Sequence, residues 1–380
     1  MNKNALSSAY IHVPFCLSKC RYCGFNSAPS PGTEEIERYC RALEKEIRDP
    51  ESEIRDLETV YFGGGTPTVL SAGQMEYLIS ALAKRASFDR GAEATIEDNP
   101  ETVDLEKLRT LRALGFNRLS LGVQSFDDNA LRFLGRAHDS RRAMEAFEQA
   151  RRAGFDNIGT DLIHGIPGQS LAQWENDIRK TTDLCPEHVS AYSLTFEPGT
   201  EFSARRAAGA ISPCDEDLEA DMFLTAREML AGAGYEHYEV SNYAKPGFRS
   251  RHNLNYWHCG DYLGFGAGAH SHLGGRRWAN AEPYAEYSDK IEKGGKAIAF
   301  VETLTREQRL FEAVFLGLRM PEGIDAIEFR SSWGLGPLAY KPEAWNSLAS
   351  EGLLLVEQGN PRLTDKGMLI ADSCLARFAP

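Results

Sequence analysis

An α/β fold with a parallel sheet is predicted by two observations on the first half of the chain. Short apolar or β-branched runs recur there, each bounded by Gly, Pro, Asn or Asp, and between them lie longer amphipathic runs at helical spacing. The first strand is expected at Ala9–Phe15, in AYIHVPF. Later strands begin at Thr59 (TVYFGG), Glu93 (EATIED), Arg118 (RLSLGVQS), Asn157 (NIGTDLIHG) and His188 (HVSAYSLT). The intervening stretches EEIERYCRALEKEI, SAGQMEYLISALAKRA, DLEKLRTLRALG, SRRAMEAFEQARRAG and SLAQWENDIRKTTDL read as helices. Gly115 and Gly154 stand where a helix ends on a left-handed residue. Strands that alternate with helices pair in parallel through right-handed crossovers. About six such units are countable, short of the eight of a closed TIM barrel. A partial barrel and an open doubly wound sheet both remain open on pattern alone.

After about Gly199 the alternation fades. Residues 1–205 therefore read as the main domain and residues 206–300 as an accessory segment. The accessory segment holds one good helix, DLEADMFLTAREMLAGAG, and then an aromatic- and glycine-rich stretch. Residues 301–380 read as a small C-terminal α+β domain. There TREQRLFEAVFLGLRM precedes LASEGLLLVEQGNPRLTDKGMLIAD, a helix–hairpin–helix pattern like a winged helix. It lacks a basic recognition face, so packing on the main domain is the expected role.

Composition excludes several classes. The chain has 380 residues, 42% of them hydrophobic and 26% charged, which suits a globular protein with a large core. Lys and Arg number 42 against 55 Asp and Glu, a net charge of −13 that argues against nonspecific nucleic-acid binding. The start, MNKNALSSAYIHV, lacks the apolar run of a signal peptide, and no stretch reaches the length of a membrane span. A cytoplasmic location is expected, where thiols stay reduced.

Of eight cysteines, three cluster: Cys16, Cys20 and Cys23 in FCLSKCRYCGF, spaced C-x3-C-x2-C. A structural zinc site wants four ligands, and no fourth stands at a familiar spacing. Three thiolates suit a cubane iron–sulfur cluster whose fourth iron stays open for a small chelating molecule. The alternative is three inert core cysteines. Cys40 shares an apolar helical face with Ile36, Leu43 and Ile47. Cys185, Cys214, Cys259 and Cys374 are scattered singles and read as structural.

Further motifs fall at strand ends. Gly63-Gly64-Gly65-Thr66-Pro67 follows the second strand, where glycines let backbone N–H groups approach a ligand closely. Glu97 ends the third strand in TIEDNP, Gln124 ends the fourth in LGVQSF, and Asp161 lies within the fifth. Arg136, in FLGRAHD, is suited to a carboxylate. These residues gather at the edge where parallel α/β folds build their sites.

The cysteine spacing resembles that of the radical S-adenosylmethionine (SAM) superfamily. That resemblance selects the partial (β/α)6 barrel and implies a [4Fe-4S] cluster whose open iron binds SAM and, once reduced, cleaves it to a 5′-deoxyadenosyl radical. GGGTPT, E-x-N-P, R-x-S-x-G-V-Q-S-F, G-R-x-H and D-L-I-x-G-I-P-G-Q further resemble the oxygen-independent coproporphyrinogen III oxidase-like subfamily, over nearly the whole chain. The subfamily implies SAM contacts from Tyr10, Tyr22, Gly64, Gly65, Thr66, Glu97, Gln124, Arg136 and Asp161, with Thr195 and His270 as further carry-overs. Two features choose the branch. The decarboxylase has a further cysteine two positions beyond the last cluster ligand, where this chain has Phe25. RHNLNYW holds His252, Asn253, Tyr256 and Trp257, which resembles the H-N-x-x-Y-W haem-binding signature of the haem-chaperone (HemW) branch. An imidazole ligates haem iron, and an aromatic pair can cover the macrocycle; on bare chemistry a core histidine in an aromatic cluster is the competing reading. The branch implies haem as cargo and apo-haemoproteins as recipients, and it admits a homodimer and peripheral membrane contact. Competing functions are oxidative decarboxylation of coproporphyrinogen III and radical SAM methyl transfer.

Overall fold

The computed structural model describes residues 6–379 apart from residues 30, 50–53 and 55; residues 1–5, part of the leader reading, lie outside the described residues. Six parallel strands form the centre of one sheet: β1 (Ser8–Val13), β2 (Asp56–Gly64), β3 (Ser87–Asp98), β4 (Arg118–Gln124), β5 (Ile158–His164) and β6 (His188–Ser193). They lie side by side in chain order. That order decides between the two arrangements, because a doubly wound sheet reverses direction at a switch point and these six never do. The result is an unclosed (β/α)6 barrel.

The crossovers carry α1 (Thr33–Ile47), α2 (Ala72–Ala83), α3 (Leu105–Ala113), α4 (Asp128–Leu134), α5 (Ser140–Arg152) and α6 (Leu171–Leu184). All but α4, a short helix, were legible as amphipathic runs. Ser71 and Ser170 each accept from the backbone N–H three residues on, with a glutamine reaching back, so α2 and α6 start on capping boxes. Gly115 and Gly154 do end their helices at positive φ, 101° and 93°.

Along the strands the side chains alternate between two environments. In β4, Leu119, Leu121 and Val123 are fully buried in the apolar core shared with the helices. Their neighbours Arg118, Ser120, Gly122 and Gln124 line a cavity on the other face. Period-2 geometry thus gives the arc an apolar outside and a polar inside.

Residues beyond 206 do more than append to this barrel. After α7 (Glu201–Ala207) and α8 (Glu216–Gly232), β7 (Glu236–Glu239) and β8 (Asn242–Ala244) add two antiparallel strands beyond β6. Helix α9 (Arg251–Trp257) follows, and β9 (Leu263–Phe265) then pairs parallel with β1 at the opposite edge. The nine-stranded order is β9-β1-β2-β3-β4-β5-β6-β8-β7. A separate antiparallel sheet comprises β10 (His270–Leu273), β11 (Arg276–Asn280) and β12 (Ile298–Thr303), with α10 (Tyr284–Glu292) between the last two. One core runs from Leu6 to Ala297 and takes in Met222, Leu230, Tyr243, Phe265 and Tyr287. Residues 206–300 therefore share the core of the barrel.

A second core, Leu310 to Phe378, belongs to the tail. It is built by α11 (Arg306–Gly317), α12 (Ala326–Trp333), α13 (Pro342–Ser350), the hairpin β13 (Leu354–Glu357) and β14 (Asn360–Leu363), and α14 (Asp365–Leu369). The helix–hairpin–helix pattern is present, and Phe223 and Val240 pack against it from the barrel side. Cys40 and Cys374 are buried as expected, but Cys185 is exposed at the end of α6, with φ 54°, and is not a core residue. Among the described residues no helix is long and apolar enough to cross a membrane.

Candidate cluster and cofactor site

A cavity of about 580 Å³ opens at the C-terminal ends of the six strands and reaches down inside the arc. Its upper wall is the loop after β1. Arg21 pins that loop: its N–H donates to Leu134 (3.1 Å), its Nη1 to Phe133 O (3.2 Å), and its carbonyl accepts from Phe202 N (3.0 Å). Lys19 Nζ ties the far side by donating to the carbonyls of Phe25 (3.3 Å) and Ser27 (3.2 Å). Cys16, Cys20 and Cys23 all line the cavity. Thr66 Oγ1 donates to Cys16 Sγ, and Arg136 Nη1 to Cys20 Sγ, each at 3.5 Å. Burial pushes the Cys16 and Cys23 thiols up, so a bound cation is needed to hold them as thiolates. Among the described residues no three His, Cys, Asp or Glu side chains converge on one ion position. Three thiols lining one wall are a donor set that suits a group offering each its own iron. Phe25, in place of the additional cysteine, is 70% exposed on this loop.

Below the thiols the predicted residues assemble. Gly64, at φ 112°, donates its N–H to Glu97 Oε2 (3.0 Å), and Tyr61 Oη donates to Glu97 Oε1 (2.8 Å). A Cβ on Gly65 would stand 2.7 Å from Phe15 O, so only glycine lets this turn lie against the start of the cysteine loop. Burial pushes the Glu97 carboxyl up to about 7. Asp161 accepts from Ser190 Oγ (2.6 Å) and Ser120 Oγ (3.2 Å), and burial raises it too. Arg136 Nη2 donates to Gly122 O (2.8 Å) and to Asn99 Oδ1, while its buried Nε has no protein partner. Gln124 lines the cavity from φ 67° at the end of β4, Tyr22 lines it from the cysteine loop, and Thr195 sits exposed at the rim beyond β6.

Three predicted contacts are not on the lining. Tyr10 lies behind it, stacked on Tyr61 with ring centroids 6.1 Å apart. Thr66 is buried beneath Cys16, where it also accepts from Asn99 Nδ2 (2.7 Å). His270 starts β10 in the separate sheet and does not reach the cavity. The structure also adds lining residues that sequence reasoning missed, notably Tyr61, Arg118, Ser120, His188 and Ser190. Arg118, Ser120, His188 and Ser190 each sit two positions from another lining residue on the same strand, so polar residues at alternate strand positions were the available signal there.

The H-N-x-x-Y-W motif lies under this cavity. Ser250 caps α9, and Glu93 of β3 accepts from Arg251 N (3.0 Å) and His252 N (3.1 Å), so the helix starts on the base of the barrel. His252 is 1% exposed. Its Nδ1 bonds Thr59 Oγ1 (2.8 Å), its Nε2 bonds Tyr256 Oη (2.8 Å), and its ring stacks on Tyr61 at 5.1 Å. Burial lowers its pKa to about 3, leaving a neutral imidazole. In this state His252 is a fully partnered core histidine, as the competing reading of the motif on bare chemistry expects. Asn253, expected at haem, lines the cavity above. Trp257 is half-buried with its Nε1 unpartnered, and His258 is exposed.

Comparison with known proteins agrees with this geometry. The Radical SAM superfamily model matches residues 10–181, and the HemN C-terminal domain model matches residues 304–370. The solved structure of coproporphyrinogen III oxidase (HemN) from Escherichia coli, a radical SAM enzyme, superposes with a TM-score of 0.87 at 26% identity, covering 99% of this chain and 90% of that one. Fold and site thus define a radical SAM protein with a HemN-type C-terminal domain, a class that implies a [4Fe-4S] cluster and SAM. Heme chaperone HemW of Bacillus subtilis is 37% identical over 98% of this chain and 99% of its own, and that of Escherichia coli is 34% identical over 98% and 97%. The chain belongs to the HemW family. Its residues fit both groups: three thiols on one wall, and an Arg136 whose buried Nε awaits a partner. When bound, the two groups would supply reductive radical chemistry.

Proposed function

We propose that this chain takes up haem at the α9 segment and delivers it to apo-haemoproteins, with the cluster and SAM held in the cavity above. The observation that carries the reading is near-full-length identity to HemW proteins together with His252, Asn253, Tyr256 and Trp257 gathered on one short helix. A neutral imidazole is the form that ligates iron, and burial keeps His252 in it. His252 reaches a haem only when α9 withdraws from Thr59, so uptake trades protein hydrogen bonds for an iron bond. Haem titration of the cluster-free protein tests this. His252→Ala should lose most of the affinity and His258→Ala much less; wild-type affinity in His252→Ala would remove the motif from haem binding.

The second reading, oxidative decarboxylation of coproporphyrinogen III, is favoured by the fold match to HemN. Phe25 opposes it. Cluster-loaded protein given SAM, a reductant and coproporphyrinogen III should leave the porphyrinogen unchanged; formation of protoporphyrinogen IX would put the oxidase first.

A further inference from the structure

We infer that His252 is also a positioning residue of the SAM pocket, acting through Tyr61 on Glu97. This rests on the reading of the cavity as the SAM site. The contacts run without a gap. Thr59 and Tyr256 hold the two nitrogens of His252, which fixes the ring plane against Tyr61, and Tyr10 also stacks on Tyr61. Tyr61, so clamped, aims its hydroxyl at Glu97 Oε1, and the second Glu97 oxygen accepts from Gly64 N in the glycine turn. Both carboxylate oxygens are thereby fixed, and one of the two anchors is set from below by the haem-motif helix. Asn253, the next residue of that helix, lines the cavity itself. The helix is pinned in register by Glu93, two residues below Thr95 and four below Glu97 on the same strand.

A linkage follows. Withdrawal of α9 to give His252 to a haem removes the clamp on Tyr61, so haem and SAM each weaken the other's binding, by the same factor in both directions. The haem motif then reports to the SAM pocket even when no radical chemistry occurs.

The test is a double-mutant cycle on cluster-loaded protein, read by SAM calorimetry and by the change in the reduced cluster's EPR spectrum on adding SAM. Tyr61→Phe removes only the hydroxyl that orients Glu97 and should weaken SAM roughly tenfold, as for loss of a hydrogen bond to a charged group. His252→Ala should weaken SAM to a comparable or smaller extent. In the Tyr61→Phe background, His252→Ala should add nothing further. Tyr256→Phe, which keeps the ring and frees only Nε2, guards against misfolding of His252→Ala and should give a smaller loss of SAM affinity. Unchanged SAM affinity in His252→Ala, or losses that simply add in the double variant, would overturn the inference. Haem titration of the same variants without cluster is separate: a change there with no change in SAM binding defeats the positioning role and leaves the haem reading standing, whereas the reverse defeats the haem reading alone.

Discussion

The two ends of the barrel are finished in opposite ways by the same six strands. At the upper end, three thiols, the buried Nε of Arg136 and the loop glycines face a cavity, with polar groups that the protein itself does not satisfy. At the lower end α9 fills the interior, and His252, Thr59, Tyr256 and Glu93 satisfy one another. Buried polar groups without partners cost free energy, so the upper end is built for ligands that complete it. At the lower end both nitrogens of His252 are satisfied without any. A ligand there has to displace what is present, so under the proposed function haem uptake is a conformational event and SAM uptake a filling one.

That contrast can be broken at either end. The largest effect should come from Cys20→Ala: reconstituted wild type should hold about four irons per chain, and the variant should lose the cluster's charge-transfer absorbance. Zinc retained tightly in protein purified without oxygen would contradict the donor set. Next is Arg136→Ala, which takes away the guanidinium at the upper end. It should weaken SAM by roughly 2–5 kcal/mol in calorimetry, the usual result of truncating one partner of a buried charge pair. At the lower end, Tyr256→Phe should raise haem affinity several-fold in the cluster-free protein, because one hydrogen bond of about 1 kcal/mol no longer holds His252. An unchanged affinity would mean that haem does not compete for this imidazole.

In pH dependence the two ends should differ in sign. His252 is depressed to about 3, so its contribution is full above the ordinary histidine range and is lost as pH falls through that range toward 3. Glu97 is raised to about 7, so its contribution is full below the ordinary carboxyl range and is lost as pH rises to 7. In denaturant titrations of the apo-protein, His252→Asn should flatten the acid side by up to about 1.4 kcal/mol per pH unit, and Glu97→Gln should flatten the side between pH 5 and 7. Equal effects of both variants on one side would erase the distinction.

The upper end was largely legible in the sequence because its residues stand at strand ends, where short motifs survive as contiguous strings: the cysteine loop, GGGTPT, and the single residues Glu97, Gln124 and Arg136. The five strands after the first were legible for a related reason, since each apolar run lies between clear turn residues. The rest was not. Within the cavity itself, Tyr61, Arg118 and His188 come from three strands far apart in the chain, and only the curvature of the sheet brings them together. The strands β7, β8 and β9 are three or four residues long, too short to show a period, and they pair with edges whose exposure the sequence does not reveal. His252 shows the limit of a motif. H-N-x-x-Y-W picks out the residues of one short helix, but whether the imidazole faces solvent or core depends on Thr59 and Tyr61, which lie nearly two hundred positions away. His270 likewise lies off the cavity, its strand having gone to the separate sheet.

Hydrogen–deuterium exchange across α9, with and without haem, tests most directly the claim that the haem motif gives up the base of the barrel when it takes its cargo. The amides of Arg251 and His252 donate to Glu93 and should be protected in the haem-free protein. On saturation with haem their exchange should accelerate, and His252→Ala should abolish the haem response. Protection of these two amides that is unchanged, or strengthened, in a protein carrying stoichiometric haem would contradict the account.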